Sequence, residues 1–142
     1  MAGLSKPYNS VVDAVMGGFK NIMGNGVQWH TNEFGFWVVN QPSKDRKTAT
    51  YHYTKPESNG SGHVEMTLPS GIPVFANCHT HPKSTKTGDF STGDKRQFEK
   101  VRKARSGVAW FLLNPSGQIR RAITSGEFPA GVTVKWNDKI TP

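Results

Sequence analysis

Apolar and polar positions alternate along this chain with two different periods. Val12, Val15, Met16, Phe19 and Met23 recur at a spacing of three to four residues, which predicts an amphipathic helix over residues 11–23. Ser10 stands where an N-cap belongs, with Asp13 three positions on, and Gly24-Asn25-Gly26 closes the segment. Gly17 and Gly18 weaken the same helix. The pattern then shortens. Residues 33–40 (EFGFWVVN) are aromatic and β-branched, and residues 48–54 (TATYHYT) alternate, so both predict strands. Residues 41–47 form a polar turn, and 56–62 (PESNGSG) a flexible loop. Short strands are predicted over 63–68 and 73–79, with a wholly polar loop over 83–89. Residues 91–106 read as a second helix, with Phe98 and Val101 turned inward. Residues 108–114 (VAWFLLN) are a strongly apolar strand that turns at 115–117 into a partner over 118–124, and a last strand covers 132–136. Helix, strands, helix, strands is the order of a mixed α/β (α+β) domain whose sheet is flanked by two helices.

The length, 142 residues, fits a single domain over 1–142. No apolar run is long enough for a membrane span, and no basic-then-apolar leader is visible. The expectation is a cytoplasmic protein, or one delivered by a secretion system as part of a larger effector. The single cysteine, Cys78, excludes an internal disulfide framework and any multi-cysteine metal site, which leaves metal chemistry to histidine and carboxylate. Lysine and arginine number 18 against 10 acidic residues, a net charge of +8. That balance favours an acidic partner, either a protein surface or nucleic acid.

The candidate chemistry sits in Asn77-Cys78-His79-Thr80-His81-Pro82, followed by Phe90-Ser91-Thr92-Gly93-Asp94. On a strand, residues i and i+2 share a face, so His79 and His81 project together as two nitrogen ligands of one metal must. Pro82 ends the strand because it has no N–H for the ladder. Asp94, on the first turn of the second helix, offers an oxygen ligand, and two histidines with one carboxylate leave a fourth tetrahedral position open. Each element has a plainer reading. An H-x-H pair is often two surface histidines, and Ser91-x-x-Asp94 is also an ordinary helix start. Cys78 faces away from His79 and reads as a buried strand cysteine rather than a nucleophile. His30 and His52 read as surface or strand residues. The basic residues Lys95, Arg96, Lys100, Arg102, Lys103 and Arg105 read first as a solvated helix face, and second as a dock for an acidic protein or a phosphate backbone.

H-x-H-P, a loop, S-x-x-D and an upstream glutamate together resemble the signature of the JAMM (MPN+, JAB-domain) metalloproteases. Asn32-Glu33-Phe34-Gly35 resembles the start of the JAB-like toxin domains at the C-termini of bacterial polymorphic and Rhs effectors. Residues 82–90 make a longer loop than the family's usual one, and Phe36 replaces its second glycine. The resemblance implies a sheet wrapped between helices and a Zn²⁺ held by His79, His81 and Asp94. It implies that Glu33 takes a proton from the attacking water and passes it to the leaving amine, while Ser91 hydrogen-bonds the developing oxyanion or the water. The bond cut in the family is an amide or isopeptide, often at a ubiquitin-like C-terminus. Glu65, within His63-Val64-Glu65, is the rival base, since H-x-E is the water-activating pair of zinc deaminases. Their cysteine pair has no counterpart here.

The expected function is therefore a zinc metallopeptidase or isopeptidase, an effector or toxin domain with an immunity protein among its partners. Lys83 and Lys86, in the loop over the groove, are expected to make its entrance positive for a substrate with an acidic surface. The alternatives are a metal-dependent toxin acting on nucleic acid and a catalytically inactive binding module of the same fold.

Overall fold

The computed structural model describes residues 3–24, 29, 31–42, 49–58, 66, 68–82, 100–101, 108–115, 119–122 and 132–133. One helix, α1 (Val11–Gly24), precedes the strands β1 (Phe34–Pro42), β2 (Ala49–Tyr53), β3 (Glu57–Ser58), β4 (Val74–Thr80), β5 (Ala109–Leu113), β6 (Ile119–Ala122) and β7 (Val132–Thr133). The strands form one sheet in the order β2-β1-β4-β5-β6-β7, with β3 also paired to β1. β4 and β5 run parallel, and every other pairing is antiparallel. The fold is thus mixed α+β with a mixed sheet. A parallel pair needs a long crossover, usually helical. The connection between β4 and β5 holds the residues read from sequence as the second helix. Of these only Lys100 and Val101 are described; both are helical, and Val101 is buried.

α1 forms where the periodicity places it, and Ser10 caps it by accepting the Asp13 N–H at 3.1 Å. Its buried stripe is Ala14, Val15, Phe19, Ile22 and Met23. Met16 is only partly covered and Val12 is exposed, so the stripe is rotated from the one read in sequence. The glycines read as weakening α1 are points of close approach. A Cβ at Gly18 would fall on the Phe36 ring, and one at Gly17 on the Tyr8 hydroxyl. Helix propensity is given up there for contact between helix and sheet.

The sheet has two packed faces. Phe36, Val38, Ala76, Cys78, Phe111 and Leu113 pack under α1. Trp37, Val39, Val74, Val108, Trp110 and Leu112 form a second cluster with Val101 on the opposite face. β4 enters this arrangement through an irregularity. Val38 pairs with Ala76, but Val39 pairs with Val74, so Phe75 is the extra residue of a bulge. The bulge resets the alternation. Ala76 and Cys78 go under α1, while Val74 joins the opposite face together with the odd-numbered residues that follow.

Some expectations fail. The segment 56–62, read as a flexible loop, contains β3, whose Glu57 and Ser58 pair with Gly35 and Phe34. Met66 and Leu68, the described residues of the strand expected over 63–68, lie outside any strand; the others are not among the described residues. Among the described residues no helix is long and apolar enough to cross a membrane.

Candidate metal centre

Register brings the chemistry together. β1 and β4 are antiparallel, with Gly35 opposite His79. Two residues further, the same register sets Glu33 across from His81. Phe34 N–H donates to Thr80 Oγ1 at 3.0 Å, which ties the start of β1 to the histidine strand between those two positions. His81 N–H donates to Leu113 O at 3.1 Å, one last rung toward β5 before Pro82. Gly35 puts no side chain between Glu33 and Trp37 on this face.

The result is a group of three side chains, Glu33, His79 and His81, whose ligand atoms all lie within 4.8 Å of one another. Glu33 Oε1 is 3.7 Å from His81 Nε2. The two imidazole rings have centroids 5.2 Å apart, and the edge-on indole of Trp110 lies 6.0 Å from His79. Glu33 is 7% exposed, His79 3% and His81 2%. This burial displaces the reading of the pair as surface histidines. A carboxylate taken out of water needs a charge partner or a metal.

The donor set fits a divalent ion. Bonds of about 2.0–2.2 Å in tetrahedral geometry put ligands about 3.3–3.6 Å apart. The separation of 3.7 Å between Glu33 and His81 is already close to that. Two neutral imidazoles and a carboxylate suit zinc and other first-row metals. The Glu33, His79 and His81 group could therefore hold a metal ion.

Sequence reasoning placed His79 and His81 on one face, and the structure does the same. It named Glu33 as a base, and the structure groups that carboxylate with the two histidines as a possible ligand. Ser91, Asp94, Lys83, Lys86 and Glu65 lie outside the described residues, as does His30. His52 is a buried strand residue, with Nδ1 bonded to Ser5 O at 2.8 Å and Nε2 to Thr50 Oγ1 at 2.9 Å, far in sequence from the histidine pair. Cys78 is fully buried under α1, on the face opposite His79, and burial pushes its thiol pKa well above the ordinary value. It is no nucleophile for this site.

Two participants were missed in the sequence. Thr80 looks like filler between the histidines, yet it anchors the strand start beside Glu33. Trp110, from a strand read only as apolar core, touches His79. What the fold and site define is a mixed α+β domain with a buried His₂Glu group at one end of its central strands. No protein-family model matches the chain, and no curated protein or solved structure shows significant similarity to it.

Proposed function

We propose that this protein is a zinc-dependent hydrolase of the JAMM type that cuts peptide or isopeptide bonds. The observation that carries the reading is the convergence of Glu33 with His79 and His81, which are remote from it in sequence, into one buried group with ligand-like spacing. A zinc ion held there would supply Lewis acidity toward a carbonyl and make an attacking water more acidic. The protein's own groups do the rest. His79 and His81 hold the ion, with Asp94 as the third ligand that the resemblance implies. Glu33 takes the proton from the attacking water and delivers it to the leaving amine, a task suited to a carboxylate within hydrogen-bond reach of the reacting atoms. Ser91 donates to the developing oxyanion. Lys83 and Lys86 would favour a protein substrate with an acidic surface. In this reading the chain is an effector or toxin domain, and an immunity protein is its natural antagonist.

A second reading, a metal-dependent toxin acting on nucleic acid, is favoured by the net charge of +8. One experiment separates the two. The zinc-loaded protein and its Glu33→Gln variant are incubated with polyubiquitin chains, a protein mixture, plasmid DNA and total RNA. The proposal expects zinc-dependent cleavage of protein that Glu33→Gln abolishes. Glu33-dependent loss of nucleic acid with every protein intact would reject it.

A further inference from the structure

Two buried polar atoms in the rung before His79 make no hydrogen bond: the indole Nε1 of Trp37 and the amide Oδ1 of Asn77. They belong to one rung. Trp37 on β1 stands directly opposite Asn77 on β4, and each is 4% exposed. The backbone of Trp37 is committed elsewhere. Its N–H donates to Thr54 Oγ1 at 2.9 Å, and its carbonyl accepts from Thr54 N–H at 2.9 Å. Trp37 and Asn77 are therefore a non-hydrogen-bonded pair of the ladder. In such pairs the Cα atoms are about 4.5 Å apart and the side chains closest. A donor-bearing and an acceptor-bearing side chain thus rise from directly opposed positions on adjacent strands.

Away from the histidines the face is apolar. Val39, Val74, Val101, Val108, Trp110 and Leu112 make up the rest of the cluster that includes Trp37. A buried donor or acceptor with no partner is among the most destabilising features a core can carry. Here there are two, of opposite kind, on paired residues. Whatever satisfies them must be small, because neither atom is exposed. It must both accept and donate. A metal ion fails the second condition.

We infer that the Trp37–Asn77 rung binds one internal water molecule, which accepts from the indole N–H and donates to the amide oxygen. Water meets both conditions and serves the amide in either of its two orientations. The site is distinct from the Glu33, His79 and His81 group and does not depend on a metal there. It is adjacent all the same. Asn77 is two residues before His79 on the same face, and Trp110 is both the β5 neighbour of Asn77 and the edge-on contact of His79. The bound water fills the rung next to the one on which His79 stands.

The test begins with the unaltered protein. Water-selective proton NMR should show a cross-peak between a long-lived water and the Trp37 indole N–H; its absence would overturn the inference. Trp37→Phe and Asn77→Leu should each remove one long-lived water from the relaxation-dispersion amplitude of the solvent. Each should lower the urea midpoint, and the double variant should lower it by less than the sum of the two. If the rung is dry, the amplitude stays unchanged, and Asn77→Leu, which deletes an unpaired polar atom at nearly constant volume, keeps or raises the midpoint, whereas Trp37→Phe lowers it through the cavity alone. That outcome also refutes the water site.

Discussion

Zinc should stabilise this protein against heat, and His81→Ala should abolish the effect. The ligand atoms of Glu33, His79 and His81 lie within 4.8 Å, against the roughly 3.3–3.6 Å that a tetrahedral ion imposes. Loading therefore asks for side-chain movement of about an ångström, within reach of rotamer adjustment. A ligand that binds only the folded state at a hundred times its Kd adds about 2.7 kcal/mol. For a domain near 142 residues, that corresponds to a rise of about 10 °C in Tm. His81→Ala removes one nitrogen and leaves the Glu33 carboxylate without the ring it faces at 3.7 Å. The metal-free variant should lose about 1–3 kcal/mol through the lost contact between the two buried side chains. Added zinc should then recover almost none of it. His52→Gln serves as the control, because that histidine is buried away from the group and its loss should leave the zinc response intact. The assay is calorimetry or fluorescence-monitored melting with and without zinc, after chelation and dialysis. A full zinc-induced rise in His81→Ala would refute the reasoning. Glu33→Gln refines it. A retained rise assigns Glu33 to proton transfer, and a lost one makes it a ligand.

Other variants probe the frame that holds the group. Thr80→Val should cost about 1–3 kcal/mol by orphaning the Phe34 N–H, and should also weaken the zinc response, since that bond anchors the start of β1 beside Glu33; urea titration with and without zinc reads both. Gly18→Ala should destabilise by about 1–3 kcal/mol despite alanine's better helix propensity, because its Cβ meets the Phe36 ring; an increase in Tm would contradict that packing. Cys78 should resist thiol-specific alkylation in the folded protein at pH 8 and react fully in denaturant. Because its folded pKa is raised, its contribution to stability is complete below the unfolded thiol pKa of about 8.5 and falls as pH rises above it.

What the sequence shows and hides follows from the range of each interaction. α1, β1, β2, β4 and β5 are legible because apolar periodicity is a local signal, and the Ser10 cap is equally local. The rotation of the α1 stripe is not, since it depends on Gly17 and Gly18 admitting Tyr8 and Phe36, which are distant in the chain. β3 hides in a Pro- and Gly-rich stretch because two residues carry no alternation, and only pairing with Gly35 and Phe34 makes them a strand. The facing histidines are legible from i and i+2 spacing alone. The third member of their group is named only through the resemblance, and as a base rather than from any local pattern. Glu33 reaches them only because β1 pairs antiparallel to β4 with Gly35 against His79, a register that no local pattern states.

The bulge at Phe75 shows how little separates a site from its absence. Side chains on a strand alternate with a period of two, so a slip of one residue moves every one to the other face. Without the extra residue, Val74 would share a face with Ala76 and Cys78, and the alternation upstream and downstream would agree. With it, Val74 packs against Val39 and Val108 on the face that carries His79. Below the bulge β4 serves the second core; above it the same face is free to carry polar groups, with Asn77, then His79, then His81 in succession. β1 mirrors this gradient in the opposite direction, from Val39 through Trp37 and Gly35 to Glu33. Hydrophobic packing at one end of the two strands thus fixes the parity of both, and the parity alone sets a carboxylate and two imidazoles on one face at the other end. The Phe34–Thr80 hydrogen bond then locks the register at the point where the apolar contacts run out.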